Sequence, residues 1–339
     1  MVSALKAPSF QRSLAPQRFY LPELDALRFF AFAAVFIDHL CLHFNAYPFI
    51  QHLGSHGVDL FFTLSAYLLT ELMLREKETF GRLDIVRFYI RRGLRIWPLY
   101  FAFLLTVFIV VLATSIPGVP LVSLVTFAGF VADFPLSYPT SLIIVSLWSI
   151  SLEEQFYLLW PWAVQKLSRD KIVVVAGTLW IGCALARVYV LASGRGLFWL
   201  TVLTHLDSLA CGALLVGLPV KPRASFAIIG AASWALGTMY IYTPNPSPIL
   251  MSLAFLFIGL GSGAFLLSVL DVQRFRHRTL VYLGRISYGL YVYHGPAIII
   301  SPLVSPAITF VLAAASYRYF ESPFLRLKQH FERLPSRPI

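Results

Sequence analysis

The segment that decides the fold is LDALRFFAFAAVFIDHLCLHFN, residues 24–45. It is long and apolar enough to cross a bilayer, since about 17–25 such residues span the hydrocarbon core as a helix. The rest of the chain is similar, because 58% of its 339 residues are hydrophobic, only 13% are charged and the mean hydropathy is +0.74. A soluble domain carries about 25% charged residues. The composition predicts an all-α polytopic membrane protein and excludes a disordered chain, a collagen, a coiled coil and a nucleic-acid-binding domain.

Hydropathy predicts about ten membrane-spanning helices. They are expected at residues 24–45, 57–74, 98–115, 142–164, 172–191, 199–218, 224–242, 248–270, 280–300 and 303–320. A further apolar piece, residues 121–136, is short and has Asp133 and Pro135 near its end. We expect this piece to be re-entrant or to lie on the outer face.

Loop charge sets the predicted orientation, because Lys and Arg accumulate in cytoplasmic loops. The chain has 27 Lys and Arg against 16 Asp and Glu, a net charge of +11. Ten spans with both termini in the cytoplasm put every basic cluster on that side, whereas an eleventh span at residues 121–136 would invert everything after it. The positive charge is therefore attributed to topology, and no nucleic-acid partner is expected.

The predicted organisation is a cytoplasmic tail at residues 1–23, a single transmembrane domain at 24–320 and a second cytoplasmic tail at 321–339. Within the domain, residues 84–97 read DIVRFYIRRGLRIW, with apolar and aromatic residues among arginines. This pattern is typical of an amphipathic helix that lies on the membrane surface.

Arg28 and His39 of the first span are the leading candidates for function, because ionisable groups at membrane depth are costly and rarely incidental. They are eleven residues apart, which is three helical turns plus about 20°, so both lie on one face with an axial separation of about 16 Å. Asp38 points about 100° away from His39 and is not expected to orient its imidazole. Taken alone, His39 could equally be a histidine packed against a neighbouring helix.

Glu153 and Glu154 fall near the middle of the fourth predicted span. Adjacent helical carboxylates point in different directions, so both cannot easily be exposed to lipid. One is expected to orient or charge-stabilise a histidine, and the other to pair with an arginine such as Arg187 or Arg285. A purely structural ion pair is the alternative.

Other polar residues give weaker signals. Arg91, Arg92 and Arg95 form a charge run that ordinarily sets topology, but their clustering beside aromatic residues also makes an anion site for phosphates. No zinc motif, Walker sequence or GxGxxG is present, and no metal is expected. The residues that are by themselves more typical of structural roles are Asp59, His205, Asp207 and His294.

Seven ordered pieces of the chain resemble the acyltransferase-3 family of integral membrane acyltransferases, which O-acylate sugars and other hydroxyl-bearing molecules. The pieces, which span residues 20–327, are LDALR with Arg28 before His39, GVDLFFTLSAYLLT at 57–70, FYIRRGLRIWPLYF at 88–101, WSISLEEQFYLLWP at 148–161, HLDSLACGALL at 205–215, LGRISYGLYVYHGP at 283–296 and YRYFESPFLRL at 317–327.

The resemblance implies that His39 is the catalytic histidine and that Glu153 belongs to its site. It also implies that Arg28 and the arginines Arg91, Arg92 and Arg95 serve acyl-CoA. The acyl group is expected to be acetyl, the acceptor a carbohydrate or lipid-linked hydroxyl of the cell envelope, and the location a bacterial inner membrane in contact with membrane lipid.

Histidine suits acyl transfer because a neutral base is available at physiological pH. We expect direct transfer with His39 as general base and Glu153 as the group that orients it, and an acyl-histidine intermediate stays open. The alternative function is a proton-coupled transporter that uses the intramembrane His, Glu and Arg groups.

Overall fold

The computed structural model describes residues 19–44, 48–114, 119–132, 141–194, 202–219, 221 and 223–336, and within these ranges all regular structure is helical. The α-helices are α1 (Pro22–Phe44), α2 (Pro48–Phe80), α3 (Ile85–Thr114), α4 (Leu121–Ala128), α5 (Trp148–Lys166), α6 (Arg169–Ala192), α7 (Val202–Leu214), α8 (Phe226–Ile241), α9 (Pro248–Val269), α10 (Arg278–Arg285), α11 (Ser287–Ile300), α12 (Ser305–Ala315) and α13 (Ser322–Gln329). A π-helix, Ser316–Glu321, joins α12 to α13.

Among the residues that the structure describes, five helices are long and apolar enough to cross a membrane, which confirms the predicted class of an all-helical membrane protein. They are α1, the His56–Phe80 part of α2, α3, α6 and α9. Two further apolar helices, Leu206–Gly217 and Phe226–Ile241, are shorter. The count of ten spans stays a prediction.

The segment predicted as a separate surface helix, residues 84–97, instead begins a longer helix. Helix α3 runs without a break from Ile85 through Pro98 to Thr114. Arg91 and Arg92 are buried in it, so this part of α3 presents charge to the protein interior as well as to its surface.

The apolar piece at residues 121–136 contains the eight-residue helix α4. Its last residues, 133–136, lie outside the described residues. Eight residues reach only about 12 Å at 1.5 Å per residue, which is too short for a hydrocarbon core of about 30 Å. Its placement as re-entrant or on the outer face stays a prediction.

The two described ends of the chain lie together at one end of the bundle. The amide of Phe19 donates a hydrogen bond to the carbonyl of Pro335 at 3.0 Å. Most of the predicted N-terminal tail, residues 1–18, lies outside the described residues. That both ends face the cytoplasm stays a prediction.

Close helix contacts depend on glycines at several crossings, for example those of Gly284 and Gly212. A Cβ on Gly284 of α10 would lie 1.7 Å from the backbone oxygen of Asp25 in α1. A Cβ on Gly212 of α7 would lie 2.2 Å from the backbone oxygen of Thr63 in α2. Real Cβ atoms do not approach so closely, so the missing side chains let these helix backbones touch.

A fully buried ion pair joins α6 to α7. Arg187 Nη2 lies 2.6 Å from Asp207 Oδ2, and the guanidinium lies over the Phe255 ring at 4.2 Å from its centroid. The expectation that a carboxylate of the fourth predicted span pairs with Arg187 is therefore wrong. Asp207 is closer because α6 and α7 pack side by side.

Replacing Asp207 with Ala should lower the free energy of unfolding by about 3–5 kcal/mol, because it leaves a guanidinium buried without its carboxylate. Detergent-titration unfolding in mixed micelles measures this change. The control is Asp271→Asn, since Asp271 is 83% exposed and surface changes of this kind stay within about 0.5 kcal/mol. Equal stability of the two variants would contradict the expectation.

Candidate active site

Helix α1 carries both leading candidates as half-buried side chains. The Arg28 side chain is 16% exposed and the His39 side chain 17% exposed. Arg28 Nη1 lies 3.1 Å from Asp25 Oδ1, and the hydroxyl of Tyr20 donates to Asp25 Oδ2 at 2.8 Å. Burial and, second, the Asp25 carboxylate raise the pKa of the Tyr20 phenol above its ordinary value. Asp25 thus links Tyr20, which precedes α1, to Arg28 in the second turn of α1.

His39 is hydrogen-bonded to a second histidine, His294 of α11. His39 Nδ1 lies 2.8 Å from His294 Nε2, and His294 Nδ1 lies 2.6 Å from the carbonyl oxygen of Tyr291. His294 is fully buried, and the rings of Phe32 and Phe36 pack against it. One partly exposed imidazole is therefore held by a second imidazole that is out of contact with solvent.

Asp38 does not hydrogen-bond to the imidazole of His39, in line with its predicted direction. Its Oδ2 atom lies 3.8 Å from His39 Nε2. This separation is too long for a hydrogen bond. The Nε2 nitrogen is the one that points away from His294.

Glu153 does not contact His39 among the described residues, contrary to the expected orienting role. Its Oε2 atom lies 2.7 Å from Arg92 Nη2, and Glu154 Oε1 lies 2.8 Å from Arg92 Nε. The Arg92 guanidinium also lies over the Tyr157 ring, 4.8 Å from its centroid. A buried carboxylate needs a cationic partner. For Glu153 that partner is Arg92 of α3, and not His39 of α1.

Arg91 is likewise bound inside the protein. Its Nη2 atom lies 2.9 Å from Glu76 Oε2, and its Nη1 donates to the carbonyl of Phe331 at 3.0 Å. Arg333 also approaches Glu76, at 3.6 Å. The predicted arginine cluster is therefore partly neutralised by carboxylates of α2 and α5, and it is tied to the C-terminal segment.

Two adjoining cavities lie beside these arginines. The entry cavity, of about 120 Å³, is lined at its outer end by both chain ends, for example Tyr20 and Lys328. The inner cavity, of about 90 Å³, reaches Glu153 and Tyr291. The two share the side chains of Arg28, Ser65, Arg92 and Arg95. The structure thus brings Arg28, Arg92, Arg95 and Glu153 together at the inner cavity. Arg91 lines the entry cavity but not the inner one.

Both cavities carry an excess of positive charge. Five basic and three acidic side chains line the entry cavity, and three basic side chains line the inner cavity against one acidic side chain, Glu153. An excess of guanidinium groups in a partly buried groove favours an anionic ligand.

Tyr291 connects the inner cavity to the histidine pair. Its hydroxyl donates to the carbonyl of Ser146 at 2.7 Å and lies 2.9 Å from the Ser149 hydroxyl. Its backbone carbonyl is the acceptor for His294. The wall of the cavity and the group that holds His39 therefore belong to one turn of α11.

His294 is the site residue whose part the sequence does not reveal. It lies in SYGLYVYHGP, where an isolated histidine is more typical of a structural role. Its intramembrane position is a signal, because ionisable groups there mark functional sites. Its pairing with His39 cannot be read from the sequence, because the two residues are 255 positions apart.

Known proteins resemble the chain over most of its length. A family model described as "Acyltransferase domain" matches residues 21–317. The peptidoglycan O-acetyltransferase OatA of Listeria monocytogenes is 27% identical over 362 residues, which cover 92% of this chain and 57% of the relative. The O-acetyltransferase OatA of Staphylococcus aureus is 26% identical over 354 residues, which cover 90% of this chain and 57% of the relative.

The chain spans little more than half the length of these curated relatives. No solved structure matches it significantly. The family match covers the helices that carry Arg28, His39, the arginines of α3 and His294. This membrane protein therefore belongs to the acyltransferase-3 family.

Proposed function

We propose that the protein is a membrane O-acyltransferase that moves an acetyl group from acetyl-CoA to a hydroxyl of a cell-envelope carbohydrate, with His39 as general base. The observation that carries the proposal is the half-buried imidazole of His39, which is hydrogen-bonded to His294, a residue in the same turn of α11 as Tyr291 of the inner cavity. His39 itself does not line either cavity. Two relatives are named for O-acetyl transfer, one of them to peptidoglycan. Peptidoglycan or its lipid-linked precursor is accordingly the first acceptor to test.

The donor end of the proposal rests on charge. The nucleotide part of acyl-CoA carries several phosphate charges, and the entry cavity has the matching excess of basic side chains. Arg95 lines both cavities and marks the passage between them. The phosphates would remain at the end where the chain termini meet, and the thioester arm would extend past Arg28 along α1.

The acceptor end of the proposal rests on the free nitrogen of His39. Nε2 takes the proton of the acceptor hydroxyl as the oxygen attacks the thioester carbonyl. The carbon–sulfur bond then breaks, and the proton passes from the imidazole to the departing CoA thiolate. Glu153 balances the charge of Arg92 at the inner cavity. Covalent attack by His39 itself is the alternative route, and a burst of acyl-enzyme would reveal it.

The direct test is transfer of radiolabel. Membranes that contain the protein are incubated with [14C]acetyl-CoA and isolated peptidoglycan. The expected result is label in the glycan that mild base releases as acetate, as an O-acetyl ester requires. A proton-coupled transporter would leave the glycan unlabelled, and that outcome would overturn the proposal.

His39→Ala should lower the transfer rate by about 10²–10⁴-fold, because it removes the proposed general base. The measurement is the initial rate at which base-labile acetyl label accumulates in the glycan, with folding checked by thermal unfolding. His43→Ala is the matched control, since His43 is an exposed residue one turn further along α1. A rate close to that of the control would remove His39 from the chemistry.

Arg95→Ala should raise the KM for acetyl-CoA by about 10-fold and leave kcat nearly unchanged, because it removes a charge-assisted contact to the remote anionic part of the donor. Arg95 is chosen because it lines both cavities. Arg87→Ala is the control, since the Arg87 side chain on the same helix is 48% exposed. Equal KM values in both variants would indicate that Arg95 does not bind the donor.

A further inference from the structure

We propose that His294 is a positioning residue that fixes both the orientation and the tautomer of His39, so that the base nitrogen is Nε2. The inference rests on the proposed function, in which His39 is the base. It adds a role for a buried side chain of α11 that touches neither donor nor acceptor in that scheme. Four observations lead to it in sequence.

The first is the acceptor that holds His294. The carbonyl oxygen of Tyr291 can only accept a hydrogen bond, and it lies 2.6 Å from His294 Nδ1. This distance requires a proton on Nδ1. The backbone of α11 therefore selects the Nδ1–H form of His294.

The second is the surroundings of His294. The side chain has no exposed surface, and the rings of Phe32, Phe36 and Tyr291 pack around it. None of its described partners is acidic, and an unpaired imidazolium among aromatic rings at membrane depth would be very costly. His294 is therefore neutral, and its Nε2 atom is a bare acceptor.

The third is the geometry between the two rings. Their planes differ by only 4°, their centroids are 5.0 Å apart and the facing nitrogens are 2.8 Å apart. Parallel rings stacked face to face would keep their atoms about 3.5 Å apart or more. The rings therefore lie edge to edge in a common plane, which is the geometry of a straight N–H···N hydrogen bond.

The fourth follows from proton count. Since His294 Nε2 is bare, His39 Nδ1 must carry the hydrogen, or two lone pairs would face each other at 2.8 Å. A neutral His39 then has its lone pair on Nε2, the nitrogen that points away from α11 and is nearest to Asp38 at 3.8 Å. The two successive hydrogen bonds, from His294 to the Tyr291 carbonyl and from His39 to His294, thus set which nitrogen of His39 accepts the hydroxyl proton.

Kinetics of two His294 variants test the role. His294→Leu fills the space but accepts no hydrogen bond, and we expect it to lower kcat by about 100-fold with a KM for acetyl-CoA within about twofold, in the range of general-base effects. His294→Gln places a side-chain oxygen where Nε2 was, and it should recover at least about tenfold of that loss. His43→Gln is the control for a histidine change on the neighbouring α1.

Equal kcat values for His294→Leu and the wild type would overturn the inference. So would a correctly folded His294→Gln that is no better than His294→Leu, because the lost function would then not be hydrogen-bond acceptance. A recovery confined to the glutamine variant supports it.

A spectroscopic measurement keeps the inference testable whatever the activity. Solid-state ¹⁵N NMR of histidine-labelled protein in lipid distinguishes Nδ1–H from Nε2–H imidazoles, and His39→Gln and His294→Gln assign the signals. We expect both histidines in the Nδ1–H form. His39 should keep that form in His294→Gln, whose side-chain oxygen replaces Nε2 as the acceptor, and should lose it in His294→Leu, which offers no acceptor. An Nε2–H signal from His39 in the wild type would overturn the inference, whereas absent acetyl transfer beside the expected tautomers would count against the proposed function alone.

Discussion

Taking a charged or strongly polar side chain out of water is costly, and in this apolar bundle the cost is offset by partners on other helices. Examples are the pairs of Arg91 with Glu76, Arg92 with Glu153 and Glu154, Arg187 with Asp207, and His39 with His294. They join α3 to α2, α3 to α5, α6 to α7 and α1 to α11. The packing of the helices therefore depends on the pairing of these polar groups, and the pairing depends on the packing.

The same constraint produces two different environments within the site. At the arginine cavities the partners are carboxylates, and basic side chains still outnumber acidic ones. At His39 the partner is a neutral imidazole backed by a main-chain carbonyl. In the proposed mechanism, a neutral acceptor orients the ring without holding a charge on it, so that His39 can take up a proton and pass it on. A carboxylate there would favour the imidazolium and hold that proton more tightly.

Helix α11 links these environments. Tyr291 presents its hydroxyl to the wall of the inner cavity and its carbonyl to His294. A ligand that moves this turn of α11 would therefore also move the support of His39. Precise placement of a base matters because small displacements of reacting groups cost large factors in rate. The site is built from residues of α1, α3, α5 and α11.

Local properties of the sequence determined the class of protein, its family and the place of Arg28 and His39 on the first helix, because hydropathy and helical periodicity depend only on near neighbours. They did not determine which polar group meets which. Glu153 meets Arg92 across 61 positions of chain, and His39 meets His294 across 255. Such pairings depend on how helices cross and where backbones approach, as at Gly284 and Asp25. Only the tertiary structure decided them, since several carboxylates and cations at similar depth could have satisfied one another in other combinations.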